Sequence, residues 1–491
     1  MRGGTIRVLA AVLVAVYLAA CSRETAFLAP QEGSLIASQD RVVVTTIEGA
    51  VLQVLEPHWD GVFLTGRLAG SGPVSINSTS IRSLSTAAPK RGLVPALLAC
   101  GALALEIAAL VGSATAPSPP PIKSCPFFYA FDGMRYVFEA EPYGGAISRA
   151  LARTEWIPLE HLAAVGGEYR LLMTNELQET EHVDEVKLLA VDHAPGLKIV
   201  PDVSGRLHTV RAPQPPLSAR DGRGRDVLAD FSERDGRFWE STFETGAVGE
   251  DLRHEIVLEF PKPAGAKVVK LVADAWTTIR GSLAAKDFLE NLGSGTEAFF
   301  RDVDARGPSY AKLMGWYARE ELYLLKVQVE TPQGWKPRAV IYGGGPFVAK
   351  EKAYVLDVGD IPGDILRIKM RPPAGFWRFD SLAVDCSEDA PMAVRELFPA
   401  AVEGSTRDVG AELAAADGAF LVMPAGGTKV ELRFLAPPVT AGCERSFILK
   451  AAGWYAPQFR VDGDPRPETF DRIMSEPGFA LRLAVEGWRR K

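Results

Sequence analysis

The chain has 491 residues, too many for one ordinary domain, so several folded units are expected. Its 47% hydrophobic and 23% charged composition excludes a disordered chain and predicts a real core. A net charge of −7 with no Lys/Arg-dense stretch argues against nucleic acid as a partner, and five cysteines without a C-x-x-C pair exclude a disulfide scaffold and a thiolate metal or redox motif.

The first twenty residues carry Arg2 and Arg7, then an apolar run from Val8 to Ala20 that ends Leu18-Ala19-Ala20-Cys21. A basic start, a short apolar core and small residues at the cut describe a secretory signal. The Leu-Ala-Ala-Cys ending resembles the lipobox of bacterial lipoproteins, in which the cysteine becomes the lipidated first residue of the mature protein. The resemblance implies that residues 1–21 form the signal and that Cys21 is the lipid attachment site. An ordinary signal peptide or an uncleaved anchor is the alternative.

Residues 22–90 read as a small β unit. Between Arg41 and Ser85, short β-like runs are separated by turn pairs such as Glu48-Gly49 and Asp60-Gly61, the spacing of small barrels and sandwiches with four or five strands. His58 and Trp59, beside one such turn, make either a binding spot or a half-buried strand end.

Residues 91–113 read as an apolar helix around Leu93–Gly112, long enough to span a bilayer. The acidic Glu106 costs roughly 2.5–3.5 kcal/mol near the bilayer centre, while the Leu, Ile and Val residues return roughly 3–5 kcal/mol together. Insertion is therefore only slightly favoured, and a helix buried in a domain or packed on a partner stays open. The two membrane signals also conflict. A lipidated Cys21 lies outside, so one later span would return the rest of the chain to the cytoplasm. Lys90-Arg91 ahead of the helix, against Lys123 alone after it, favours the opposite orientation. An extracytoplasmic large domain on a stalk is the preferred layout, with residues 114–123 as a stiff Pro-rich linker.

Beyond the linker, aromatic alternation on both sides of Asp132-Gly133 predicts a β-hairpin. Later runs read as strands: 169–173, 186–191, 254–260, 266–276, 321–330, 337–344, 365–370 and 428–436. The polar stretch Glu176–Glu185 reads as a solvated connection, which accounts for Glu181, Asp184 and Glu185. Helical periodicity appears only in 281–304 and in the tail 470–488. Strands without interleaved helices point to antiparallel sheets. The expected fold class is mainly β: a small N-terminal β unit, one apolar helix, then antiparallel β-sandwich-like lobes with a short helical insertion. The lobes are expected at 124–280 and 311–491, split by the helical segment 281–310, with a helix at the C-terminus. Setting aside Cys21 and Cys100, the cysteines Cys125, Cys386 and Cys443 are odd in number and form at most one bridge among themselves.

The motifs Cys125 to Tyr136 (Cys-Pro-Phe-x-Tyr-x-x-Asp-Gly-x-x-Tyr), Glu141 to Ile147 (Glu-Pro-Tyr-Gly-Gly-Ala-Ile) and Asn175-Glu176 with Glu179-Thr180 resemble a family of bacterial envelope lipoprotein-like proteins. The likeness extends to 221–241 and 446–455. That family has no established activity, so the resemblance implies location and architecture alone.

No catalytic, cofactor or metal signature emerges. Titratable residues are densest in the set Asp132, Glu139, Glu141, Glu155, Glu160, His161, His182, Asp184, Asp192 and His193. Paired carboxylates suit acid/base work in glycoside cleavage, and histidines with carboxylates suit a divalent metal. The three histidines, 21 and 11 residues apart, have no ligand spacing, so a structural role is the competing reading and no metal is assigned. In Glu141-Pro142-Tyr143-Gly144-Gly145 the paired glycines permit either a tight corner or a ligand contact. Gly343-Gly344-Gly345-Pro346 lacks the Lys-Ser/Thr of a phosphate loop. The clusters Phe376-Trp377-Arg378-Phe379 and Gly453-Trp454-Tyr455 are either core or platforms that stack on sugars. The candidate binding residues are Glu141, Tyr143, Gly144, Gly145, His161 and His193. The expected function is a non-enzymatic, membrane-attached envelope protein that binds or scaffolds a protein or glycan partner and needs no cofactor, attached through Cys21 and residues 93–112. The alternative is a hydrolase of envelope polysaccharide working through carboxylates near Glu141.

Overall fold

The computed structural model describes residues 27–28, 41–46, 51–59, 63–68, 73–77, 81–86 and 126–490, except 177–178, 245–247, 400, 404–408, 425 and 458–463. Cys21, the apolar segment 93–112, the linker 114–123 and Cys125 lie outside the described residues. Among the described residues, no helix is long and apolar enough to cross a membrane. The chain divides into two compact units, 1–119 and 120–491.

The first unit is one antiparallel sheet of six strands, in the order Phe27–Leu28, Ile81–Thr86, Arg41–Thr46, Val51–Trp59, Phe63–Leu68, Pro73–Asn77. Val42, Val44, Val54, Leu64 and Ile76 bury one face, as period-two alternation demands. Two points differ from the expectation. The run after Pro73 divides, and its second half crosses over to pair with Arg41–Thr46 instead of its chain neighbour. The strand Phe27–Leu28 adds a sixth member, and no pairing among the described residues closes it onto Pro73–Asn77, so the sheet is open. His58 is exposed on the strand Val51–Trp59, beside a register shift that places Glu56 at φ 50°.

The second unit is mainly β, built from two sandwich-like lobes. In lobe one, a sheet ordered Ala401–Glu403, Thr428–Leu435, Glu168–Asn175, Phe127–Phe131, Tyr136–Ala140 faces a sheet ordered Met392–Leu397, Glu179–His193, Glu444–Pro457, Arg153–Leu159. Their shared core includes Phe128, Leu171, Met173, Val186, Leu432, Phe434 and Leu449, drawn from both sheets. In lobe two, Ser218–Asp221, Ile256–Pro261, Ile365–Met370, Leu324–Thr331 and Gly334–Tyr342 form one sheet, and Trp239–Glu240, Trp377–Asp385, Val268–Thr277 and Lys350–Asp357 the other. Leu324–Thr331 buries alternate residues, one face on the core and one outward. Val268–Thr277 is buried at every position after the first, which suits a strand covered on both faces.

The expected division at 281–310 is corrected by the pairing. Residues 126–193 and 392–457 make lobe one, while 218–385 and the C-terminal helices Pro467–Ser475 and Phe479–Arg489 belong to lobe two. The helical stretch therefore lies within lobe two. It comprises Ile279–Glu290, Thr296–Asp304 and Pro308–Glu320. The first is capped by Thr278, whose hydroxyl accepts from Gly281 N at 3.0 Å, and buries Gly281, Ala284, Phe288 and Leu289 along one stripe. Pro308 opens the third, where its fixed φ and missing N–H cost nothing.

The hairpin Lys198–Pro201 with Leu207–Val210 joins the lobes. Ile199 packs with Leu189, Val191 and Ile448 of lobe one, whereas its neighbour Val200 and Val210 pack on Val272 and Ala353 of lobe two. Successive strand residues point to opposite faces, so one short hairpin serves both cores.

Candidate functional site: the lobe seam and its neighbouring cleft

The predicted hairpin forms as Phe127–Phe131 paired with Tyr136–Ala140, closed by Gly133 at φ 101° and by Asp132 Oδ1, which accepts from Met134 N and Arg135 N. Its second strand delivers Glu141-Pro142-Tyr143-Gly144-Gly145 to the seam between the lobes. Glu141 is fully buried, and its Oε2 accepts from Phe347 N at 3.1 Å. A Cβ placed on Gly345 would lie 1.8 Å from Glu141 Cδ, and one placed on Gly144 would lie 2.6 Å from Gly345 N. Backbone from each lobe thus meets with no side chain between. Thr277 Oγ1 donates to Gly344 O at 2.5 Å and fixes the lobe-two side of this contact.

On the lobe-one side, Tyr143 is fully buried at φ 45°, against Gly453. Gly145 N donates to Tyr455 Oη at 3.0 Å, Tyr455 N donates to Ala146 O at 2.9 Å, and an Arg153 guanidinium N–H donates to Gly144 O. The two glycines make a corner that protein groups fill.

The acidic stretch after Glu176 departs from its reading as a solvated connection. A strand begins at Glu179, and Glu179, Glu181 and Glu185 are buried. Glu185 is neutralised by Lys187 at 2.7 Å and Lys450 at 2.9 Å. Burial pushes the Glu181 carboxyl well above the ordinary range, and neighbouring Glu179 and Glu141 push it further.

A cleft of about 90 Å³ opens next to the seam, with Glu139, His161, Glu160, Arg234 and Glu351 in its lining. Glu139 accepts from Glu160 N at 2.6 Å and His161 N at 2.7 Å, and its Oε1 also meets His161 Nδ1. Burial raises the Glu139 carboxyl despite these hydrogen bonds. Arg234 bridges Glu160 and the buried Asp274, the latter at 2.6 Å. Burial, against the pull of Arg234 and with help from Glu351 and Asp380, pushes Asp274 up to about 6. Lys198 pairs with Glu351 at 2.7 Å.

The candidate residues fall in three places. Glu141, Tyr143, Gly144 and Gly145 share the seam, and His161 lies in the cleft. His193 is at the far end of the long strand, opposite Glu444, whereas Glu179 is opposite Pro457. His193 is buried, with Nδ1 on Ala194 O at 3.0 Å and Nε2 on Ser446 Oγ at 2.8 Å. Since a carbonyl only accepts, Nδ1 carries a proton and the ring is a satisfied core group. Phe376, Trp377 and Phe379 are fully buried in lobe two, Trp377 Nε1 donating to Leu322 O at 3.0 Å. Trp454 stacks on His182 with ring centres 3.9 Å apart. Cys386 and Cys443 are free thiols. Among the described residues, no group of three or more His, Cys, Asp or Glu is placed to hold a metal ion. The sequence alone does not point to Arg234, Asp274 or Glu351, and it marks Gly345 only as part of a glycine run without phosphate-loop chemistry, because nothing local ties these residues to Glu139 or Glu141.

No family model matches the chain, and no curated protein does. Among solved structures, a chain from the atomic structure of Sulfolobus Turreted Icosahedral Virus aligns at 9% identity with a TM-score of 0.12, covering 69% of this chain and 98% of that one. A TM-score that low carries no argument about fold or function.

Proposed function

We propose that the chain is a membrane-attached envelope protein that binds or scaffolds a protein or glycan partner and catalyses no reaction, attached through Cys21 and residues 93–112 with residues 124–491 outside the cytoplasm. The cover over Glu141 and the small size of the clefts beside the charged clusters support the non-catalytic part of this reading. The cleft at His161 holds about 90 Å³ and a second, basic cleft in lobe two about 240 Å³. Pockets that enclose a drug-sized molecule hold roughly 300–1,000 Å³. The Glu141 carboxyl is covered by Gly345, out of reach of a sugar ring. The location rests on the Leu18–Cys21 ending and on the envelope-family resemblance of residues 124–193.

Two measurements test it. The Glu297 side chain is 86% exposed, so a Glu297→Cys variant with its other thiols, except Cys21, replaced by serine offers one target for an impermeant thiol reagent in intact cells. Labelling is expected; protection overturns the location. The purified full chain mixed with isolated envelope polysaccharide is expected to release no new reducing ends. Release that disappears in Glu139→Gln or Glu141→Gln overturns the non-catalytic reading and establishes the hydrolase.

A further inference from the structure

The second cleft, of about 240 Å³, is lined by Arg253, Arg319, Lys326 and Arg371 against one carboxylate, Glu321. Its cations come from four separate stretches of chain. Arg319 is on the helix Pro308–Glu320 and Lys326 on the strand Leu324–Thr331, Arg253 precedes the strand Ile256–Pro261, and Arg371 follows the strand Ile365–Met370. Three of them have carboxylate partners: Arg319 with Glu320 at 2.8 Å, Lys326 with Glu321, and Arg371 with Asp251 at 2.5 Å.

Arg253 differs. Its guanidinium donates to the carbonyls of Glu320 and Arg371, the latter at 3.4 Å, so its hydrogen bonds go to neutral acceptors and not to a carboxylate. Burial pushes the group below its ordinary value and Arg371 adds repulsion, while Glu321, Asp251 and Glu320 act in the opposite sense. Glu321 ends the helix in the left-handed conformation, φ 47°, with its N–H on Tyr317 O, which turns the chain at the mouth of the cleft. The volume far exceeds the roughly 10–15 Å³ that one water requires, so a hydrated ion fits.

We propose that this cleft binds a tetrahedral oxyanion, a phosphate or sulfate group, with Arg253 as its principal partner. Cations from a helix, a strand and the two chain segments flanking a strand pair suit an ion with several acceptor oxygens better than a planar carboxylate, which one Arg fork satisfies. The site does not depend on the envelope reading, since it is assigned from lobe-two geometry alone.

The test is calorimetric titration of the full chain, at low ionic strength, with inorganic phosphate, sulfate and glycerol 3-phosphate. Binding is expected to weaken as salt is added and to fall about tenfold or more in Arg253→Met and in Arg371→Gln. Lys336→Gln, an exposed lysine outside the cleft, is expected to bind as the parent does. The Arg371 side chain is 45% exposed, so its variant decides the matter if Arg253→Met fails to fold. Equal affinity for phosphate and its glycerol ester supports a free ion as ligand, and binding of the ester alone supports a phosphoryl group on a larger molecule. No heat from any of the three up to about 10 mM, where only interactions weaker than roughly 3 kcal/mol escape, overturns the proposal. Binding that Arg371→Gln leaves unchanged overturns it equally.

Discussion

Glu139 and Glu141 stand two residues apart at the end of one strand, and both carboxyls are buried, yet their surroundings differ in kind. Glu141 is capped by the backbone of Gly345 and holds an amide of the opposite lobe. Glu139 holds two amides of its own lobe and faces a cleft, where His161 keeps 55% of its side-chain exposure. The first arrangement fastens two lobes together; the second leaves polar groups at a surface. What separates them is the covering element: a glycine-lined backbone crossing over one carboxyl, and the amides of Glu160 and His161 with a half-exposed imidazole over the other. A buried carboxyl in this chain is therefore no sign of chemistry until its cover is known.

Gly345→Ala is the most severe way to break the seam. The new methyl would overlap the Glu141 carboxyl, which has no open side to turn toward, and Gly144 blocks retreat of the Gly345 backbone. Overpacking of this kind is expected to cost about 3 kcal/mol or more, read as a lower urea midpoint. A cost below about 1 kcal/mol would mean that the lobes part readily and that the seam does not hold them.

The cleft side is expected to respond to pH. Asp274 titrates at about 6 in the folded chain, against 3.8 for the ordinary group. A carboxyl raised on folding binds its proton more tightly in the folded state, so its contribution is fully present below about 4. That contribution is lost as pH rises through about 6. At about 1.4 kcal/mol per unit the whole effect is about 3 kcal/mol, of which roughly 2 kcal/mol is expected to be lost from the difference in unfolding free energy between the parent and Asp274→Asn from pH 4 to pH 7. Urea unfolding of both proteins at several pH values measures it. A flat difference would show that Arg234 cancels the burial of Asp274, and the cleft would then be as neutral electrostatically as the surface around it.

How much of this was readable beforehand follows from what each signal depends on. Ile365–Met370 was read to the residue and the hairpin at Asp132-Gly133 in its place, because alternation and turn chemistry are local. Glu179–His193 was read only from Val186 onward, since Glu179, Glu181 and Glu185 look like solvated surface until Lys187, Lys450 and neighbouring carboxyls are brought beside them. The nesting of lobe two within lobe one was hidden for a related reason. Alternation marks 186–191 as a strand but says nothing of its partner Glu444–Pro457, which pairs with it so that His193 lies opposite Glu444 across about 250 residues of chain. The corner at Gly144-Gly145 was legible from the glycines themselves and the run Gly343–Gly345 stood out as well, whereas their meeting was not legible, because a glycine permits a close approach without saying what approaches it.

The smallest expected effect distinguishes the cleft from the seam most sharply. In His161→Gln the ring that meets Glu139 is lost, but Glu139 keeps the amides of Glu160 and His161, and the substituted side chain remains largely in water. A partner that is half exposed contributes little, so the loss is expected to stay below about 1 kcal/mol. Thermal unfolding of the variant beside Gly345→Ala places the two carboxyls on one scale. A loss approaching that of Gly345→Ala would mean that His161 closes over Glu139 as Gly345 closes over Glu141. The cleft would then be a second fastening point, and its exposed histidine would have no claim to a binding role.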